Sequence, residues 1–177
     1  FSVNDEKAPV VDVAAMNAQL PVLGVCYGAQ LTAKLYGGRV EKSDKREYGR
    51  AYMVKQQDDS LLAGISDRSQ VWMSHSDSIK ALPEGFEILA VTDSIPVAAF
   101  RKSQQVGKSE SQKENTEVEA ADFRSSGLSD FPLYGFQFHP EVYHSTEGKT
   151  LIKNFLYNTC GCTGDWTPAH FISETVA

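Results

Sequence analysis

The stretch Pro21-Val-Leu-Gly-Val-Cys26-Tyr-Gly28 decides which fold we expect for this chain. Its apolar run after a proline is typical of a short strand buried on both faces of a mostly parallel sheet. From Ala29 the apolar residues recur at helical spacing, up to a left-handed stop at Gly37-Gly38. The pattern predicts strand, sharp turn and helix, and hence an α/β domain whose central, mostly parallel sheet is flanked by helices.

Apolar runs farther along the chain predict additional strands, separated by turn residues such as Pro83-Glu-Gly85. The predicted strands are residues 51–54, 70–73, 86–91, 95–100 and 133–138. Between the last two, residues 101–130 mix acidic and basic side chains with Ser and Gln, so we expect a mobile surface loop there. Ser145-Thr-Glu147 offers N-cap chemistry for a helix that is predicted to carry Leu151, Ile152, Phe155 and Leu156 on one face.

The composition is that of one soluble globular domain. The 177 residues are 41% hydrophobic and carry a net charge of −6, and a chain of this size buries enough surface to need no metal or disulfide staple. The acidic balance argues against nucleic acid as a partner, which would require clustered Lys and Arg. No apolar run approaches the ~20 residues that span a bilayer, so no membrane contact is expected.

Cysteine usage bears on compartment and on metal binding. Cys26, Cys160 and Cys162 form neither a disulfide framework nor a four-ligand zinc pattern. They fit a reducing compartment, and we expect a cytoplasmic protein without a metal site. For Cys160 and Cys162 the expected role is packing near a helix end.

The segment Gly24-Val-Cys26-Tyr-Gly28 has the pattern of a nucleophile elbow. The glycines would remove side chains that crowd the turn, and the turn would lift the thiol out of the sheet. The helix N-terminus would stabilise the thiolate, while the amide of Tyr27 would face a developing oxyanion. From this motif alone, a small buried cysteine at a strand end stays open as the alternative.

A thiol nucleophile needs a base that takes its proton and returns it to a leaving group. Of the four histidines, His139 is the best placed, because it follows a predicted strand at the end where parallel sheets gather their active sites. Glu141 is close enough in sequence to fix the imidazole tautomer, which would complete a Cys, His, Glu triad. When each residue is considered alone, the alternative for His139 is a turn histidine, and the alternative for Glu141 is a solvated acid at the start of a helix.

Gly-Val-Cys26-Tyr-Gly-Ala-Gln30 together with Phe-Gln-Phe-His139-Pro-Glu141 resembles the class I, triad-type glutamine amidotransferases. The likeness covers nearly the whole chain except 101–130, and it implies their flavodoxin-like α/β fold. Within the family, Leu35 to Val40, Val71 to Asp77 and Asn154 to Cys162 are most similar to members whose ammonia aminates XMP to GMP. Two alternative functions remain. One is an amidotransferase that feeds anthranilate, carbamoyl phosphate or CTP synthesis, and the other is a non-catalytic glutamine-binding scaffold domain.

The resemblance implies glutamine hydrolysis. Cys26 would attack the side-chain amide, His139 would protonate the departing ammonia, and water would release glutamate from the thioester. Glu141 would orient His139. The implied glutamine-binding residues are Gln30, Gly28, Tyr27, Ser74, His75, Ser76 and Asp77. Each of these roles has an alternative. Gln30 would instead be a helix-surface residue, and His75 and Asp77 would belong to a hydrogen-bond network within a loop.

The resemblance also implies a domain organisation. Residues 1–163 would form the amidotransferase domain, starting after its N-terminal strands and after a loop that supplies a second oxyanion amide, with 101–130 as an insertion. Residues 164–177 resemble the linker and first helix of an ATP pyrophosphatase domain of the same chain. ATP and Mg would bind in that domain, so no cofactor is expected in this one. A homodimer is expected only for the longer protein.

Overall fold

The computed structural model describes residues 2–103, 131–165 and 167–176. Its strands are β1 (Val22–Val25), β2 (Arg39–Lys55), β3 (Arg68–Ala81), β4 (Phe86–Val91), β5 (Ala99–Lys102) and β6 (Leu133–Phe136). Its helices are α1 (Val13–Asn17), α2 (Tyr27–Leu35), α3 (Gly148–Asn154) and α4 (Pro168–Val176), with a short 3-10 turn at Ser60–Leu62 and a π-helical turn at Phe155–Thr159. Within the described ranges, no helix is long and apolar enough to cross a membrane.

The six strands form one sheet in the order β1-β6-β5-β4-β2-β3, and the predicted α/β class is confirmed. The sheet is mixed rather than mostly parallel. Among the described strands only β1 and β6 pair in parallel, and the other four pairings are antiparallel. The connections explain this, because the short link between β4 and β5 suits an antiparallel pair, whereas a parallel pair needs a crossover of roughly a dozen residues or more.

Two apolar clusters cover the two faces of the sheet. Tyr134 and Phe136 of β6 belong to the cluster that includes Leu151 of α3, whereas Leu133 of the same strand belongs to the cluster that includes Leu31 of α2. Successive side chains of a strand point to opposite faces, so α2 and α3 lie on opposite sides of the sheet. The segments that follow β1 and β6 therefore begin at a sheet edge that has a helix on each side.

The charged stretch that begins at Arg101 departs from its prediction as a loop. Arg101 and Lys102 are the last residues of β5. The Arg101 guanidinium lies 2.6 Å from the Asp59 carboxylate and 2.7 Å from that of Glu87. The Asp59 side chain is only 2% exposed, so its charge needs this partner. The remainder of the predicted insertion, 104–130, lies outside the described residues.

Candidate active site

Cys26 stands at a strained turn between β1 and α2. Its φ of +48° makes it the one non-glycine residue with a positive φ in the part of the chain that the structure describes. The Cys26 N–H donates to the Phe136 carbonyl at 2.7 Å and so prolongs the pairing of β1 with β6. Backbone strain of this kind costs about 1–3 kcal/mol and persists only where the surroundings enforce it. The geometry is that of the nucleophile elbow that the sequence predicts.

The two glycines of the elbow differ in the space around them. A Cβ atom on Gly24 would lie 2.7 Å from the Gly28 carbonyl carbon and 2.8 Å from the Ala29 nitrogen, which are rigid backbone atoms of α2. A Cβ atom on Gly28 would meet nothing within 4 Å. The steric explanation therefore holds for Gly24 and is wrong for Gly28, where the turn leaves open space.

Alanine substitutions at these two glycines should have opposite outcomes. We expect Gly24→Ala to push α2 away from β1 and to lower the midpoint of thermal unfolding by several degrees, since overpacking costs about 1–3 kcal/mol. Gly28→Ala should leave the midpoint unchanged or slightly raised, because alanine is the better helix former by about 1 kcal/mol. Thermal unfolding followed by circular dichroism measures both. Equal midpoints for the two variants would contradict the steric account.

The pKa of the Cys26 thiol is set by opposing effects. Burial raises its pKa, the hydrogen bond from the Tyr27 amide lowers it in part, and the negative charge of Glu141 raises it further. The helix N-terminus contributes the lowering that the sequence predicts, through the Tyr27 amide, and burial outweighs it. Because burial raises the pKa of the thiol, attack by sulfur is favoured by a neighbouring base that takes the proton.

The raised pKa predicts how Cys26 reacts with pH. We expect its alkylation by iodoacetamide to be slow near neutral pH and to keep rising past the pH at which N-acetylcysteine levels off, since the thiolate is the reactive form. Peptide mass mapping over a pH series measures the rate at Cys26. If the rate at Cys26 levels off at a lower pH than that of N-acetylcysteine, burial does not dominate the pKa of this thiol.

His139 and Glu141 contact each other as predicted. The Nδ1 atom of His139 lies 2.7 Å from Oε1 of Glu141, and the His139 N–H donates to the Trp72 carbonyl of β3 at 3.0 Å. With Nδ1–H donated to the carboxylate, Nε2 is the ring atom left to exchange a proton with a thiol or a leaving group. Cys26 and His139 come from segments that follow two adjacent parallel strands, β1 and β6.

The predicted glutamine-binding residues occupy two places. Gln30 is buried in α2, and its Nε2 donates to the Asp77 backbone carbonyl at 2.7 Å. The interpretation of Gln30 as a helix-surface residue is therefore wrong. The residues Ser74, His75, Ser76 and Asp77 lie within strand β3 rather than in a loop.

Burial alternates along this part of β3. His75 and Asp77 are buried, whereas Ser74 is exposed and Ser76 is partly so. The Asp77 carboxylate accepts a hydrogen bond from the Ser2 hydroxyl. Only part of the predicted set can therefore face one ligand through its side chains, and the roles of all four remain predictions. Tyr27 is half-buried, and its hydroxyl donates to the Pro9 carbonyl at 2.6 Å.

Ser145 has a contact that the sequence did not predict. Of the triplet Ser145-Thr-Glu147 that predicts a helix N-cap, it is Glu147 that occupies the cap position before Gly148, without a side-chain cap hydrogen bond. The Ser145 hydroxyl instead donates to the His139 carbonyl at 2.5 Å and accepts from the Trp72 N–H at 3.0 Å. No sequence signal separates this hydroxyl from that of a helix cap, since both uses place a serine shortly before a helix.

Gln137 is a second residue that sequence reasoning missed. Its side chain is fully buried, and its Oε1 accepts from Gln30 Nε2 at 3.4 Å. The signal was available, because a glutamine between two phenylalanines at a buried strand end needs polar partners.

Cys160 and Cys162 are free thiols, the first half-buried and the second exposed. Burial raises the pKa of the Cys160 thiol, and the nearby Cys162 raises it further. Over the described ranges, no three His, Cys, Asp or Glu side chains cluster so as to hold a metal ion.

Comparisons with known proteins agree with this geometry. The family model for class I glutamine amidotransferases matches residues 2–108 and 107–159. The chain is 44% identical, over 99% of its length, to the glutamine-hydrolysing GMP synthase of Porphyromonas gingivalis, and 42% identical, over all of it, to that of Bacteroides fragilis. It spans about 30% of the length of each of these relatives.

A solved structure from Thermoplasma acidophilum, described as one subunit of a GMP synthase, has the same fold. It superposes with a TM-score of 0.60 at 24% identity, over 89% of this chain and 61% of that one. The match to the family model extends over most of the sequence and contains Cys26, His139 and Glu141. The chain therefore belongs to the class I glutamine amidotransferase family.

Proposed function

We propose that this chain is the glutaminase domain of a glutamine-hydrolysing GMP synthase, with Cys26, His139 and Glu141 as its catalytic triad. The observation that carries the proposal is that two adjacent parallel strands lead into the strained Cys26 turn and into His139, whose ring is paired with Glu141. The relatives that match the full chain at 42–44% identity support GMP synthase over the other amidotransferase pathways.

In the proposed reaction the Cys26 sulfur attacks the side-chain amide carbon of glutamine while His139 Nε2 takes the thiol proton. Coupling the two events suits a thiol whose pKa is raised by burial. We assign the role of oxyanion donor to the Tyr27 amide, which hydrogen-bonds the sulfur. The product of this step is a tetrahedral adduct on Cys26.

His139 then gives its proton to the amide nitrogen, the carbon–nitrogen bond breaks, and ammonia leaves a glutamyl thioester on Cys26. A water molecule, deprotonated by the same ring nitrogen, attacks the thioester and releases glutamate. Glu141 holds the imidazole in one tautomer and stabilises the imidazolium that forms twice in this cycle. Each proton that His139 takes is returned within the same half-reaction.

Glutamine binding is assigned to the open space beside Gly28. We place Tyr27, Gly28 and Gln30 on the α2 side of the substrate, and the backbone of Ser74, His75, Ser76 and Asp77, with the exposed Ser74 and the partly exposed Ser76 side chains, on the β3 side. The bond between Gln30 and the Asp77 carbonyl joins the two sides.

The remaining parts of the proposal concern the longer protein. An ATP pyrophosphatase domain of the same chain would use ATP and Mg to adenylate XMP and would accept the ammonia to form GMP. Residues 164–177 would lead into that domain, and homodimerisation would depend on it. We place the activity in the cytoplasm, in keeping with the free thiols.

The test is an intact-mass measurement after the chain is exposed to a glutamine-mimicking electrophile, with and without excess glutamine, together with an assay of glutamate release. We expect a single adduct on Cys26 that glutamine slows, and glutamate formation by the untreated chain. Labelling that ignores glutamine, or that falls equally on Cys160 and Cys162, would refute the proposed glutaminase and favour a scaffold role.

A further inference from the structure

The loop that carries His139 is fastened to strand β3 by a buried hydroxyl. Ser145 is 6% exposed, and its hydroxyl lies between the Trp72 N–H and the His139 carbonyl, at 3.0 Å and 2.5 Å. On the other side of the same pair of residues, the His139 N–H donates directly to the Trp72 carbonyl at 3.0 Å. His139 is thus bonded to Trp72 through both of its backbone polar groups.

This arrangement resembles a rung of a β-ladder with one insertion. Two residues paired across strands exchange two N–H to carbonyl bonds directly. Here one bond is direct, and the Ser145 hydroxyl is inserted in the other, accepting from Trp72 of β3 and donating to His139 in the segment that follows β6. The hydroxyl therefore sets the separation between the His139 carbonyl and β3, at the point where the chain turns into Pro140.

Neighbouring bonds fasten the rest of the loop to the same strand without touching His139. The Gln70 Nε2 donates to the His144 carbonyl at 2.8 Å, and the Thr146 N–H donates to the Gln70 carbonyl at 3.1 Å. The Trp72 ring stacks on the His144 ring with centroids 4.5 Å apart. The loop would therefore remain attached to β3 without the Ser145 hydroxyl, and only the backbone of His139 would lose its spacer.

We propose that Ser145 is a positioning residue for the general base, holding His139 at the distance from β3 that aligns its ring with Cys26. The inference rests on the proposed glutaminase. Without the hydroxyl, the Trp72 N–H and the His139 carbonyl either close upon each other or admit a water molecule, and both changes move the His139 backbone. A displacement of about 1 Å in a catalytic group can cost on the order of 10²-fold in rate.

The test compares substitutions at two adjacent hydroxyls in the full chain. Ser145→Ala removes the inserted hydroxyl, and Ser145→Thr keeps it. The matched control is Thr146→Ala, which removes an exposed hydroxyl 3.4 Å from the Gln70 carbonyl on the same strand and leaves His139 untouched. We expect kcat for glutamine hydrolysis to fall about 10- to 100-fold in Ser145→Ala with KM unchanged, while Ser145→Thr and Thr146→Ala stay within about threefold of the parent.

Unfolding midpoints and amide exchange separate positioning from folding. The assays are run well below the midpoint of each variant, and if Ser145→Ala does not fold, Ser145→Cys keeps the volume with a poorer hydrogen-bonding group and should lose activity that Ser145→Thr retains. Faster hydrogen exchange at the Trp72 amide in the Ala or Cys variant is expected whether or not the chain turns over glutamine.

The inference would be overturned by unchanged kcat in Ser145→Ala, or by equal losses in Ser145→Ala and Thr146→Ala. Unchanged exchange at Trp72 would overturn it as well, even if the parent chain is inactive. A parent chain without turnover would instead count against the proposed glutaminase, so the two failures are distinguishable.

Discussion

Replacing Cys26 by alanine is expected to abolish glutamine hydrolysis while leaving the fold intact. The sulfur is the only atom that forms the covalent bond to substrate in the proposed cycle, so no other group of the site can replace it. Loss of the nucleophile in triad hydrolases lowers kcat by on the order of 10⁶. Alanine should fit without strain beyond that already present, because Cys26 adopts its positive φ as a non-glycine residue.

The matched control for Cys26→Ala is the double substitution of Cys160 and Cys162 by alanine. These thiols lie beyond α3, one half-buried and one exposed, and they take no part in the proposed chemistry. We expect the double variant to keep the glutamate release of the parent, as measured by a coupled glutamate dehydrogenase assay. Residual hydrolysis in Cys26→Ala above about one part in 10⁴ of the parent, or loss of activity in the double variant, would place the nucleophile elsewhere.

The site was predictable where it depends on local sequence. The elbow follows from Gly24 and from the change of period after Cys26, and the contact between His139 and Glu141 follows from their separation of two residues. Both features are set by short-range backbone geometry. The resemblance in these two motifs was sufficient to identify the family before any pairing of strands was known.

Long-range pairing was not predictable in the same way. The antiparallel register of β2 with β3 makes a strand of Ser74 to Asp77, and the partner of the Asp77 carboxylate is Ser2, near the start of the chain. The sequence around Ser145 is equally compatible with a helix cap and with the observed bonds to Trp72 and His139. The pKa of Cys26 is another example, because burial by surrounding residues outweighs the hydrogen bond from the adjacent Tyr27 amide.

Substituting Glu141 by glutamine is expected to lower kcat for glutamine hydrolysis by about 10²–10³ with little change in KM. The carboxylate accepts from His139 Nδ1 at 2.7 Å and would stabilise the imidazolium, whereas a glutamine side chain carries no charge and can turn its amide N–H₂ toward the ring. Loss of the equivalent acid in a serine protease costs about 10⁴. The Glu141 side chain is 53% exposed, so water can replace part of its role, and we expect a smaller loss.

The control for Glu141→Gln is Glu84→Gln, which removes the same charge from an exposed turn between β3 and β4. Steady-state kinetics of both variants separate orientation of the base from the overall charge of the domain. If Glu141 acts on His139, Glu141→Gln loses kcat and Glu84→Gln does not. Glu141→Asp should recover little of the loss, because the shorter side chain cannot reach Nδ1 at the same distance. If glutamine at position 141 raises KM and leaves kcat unchanged, the carboxylate binds substrate instead, and the triad reduces to Cys26 and His139.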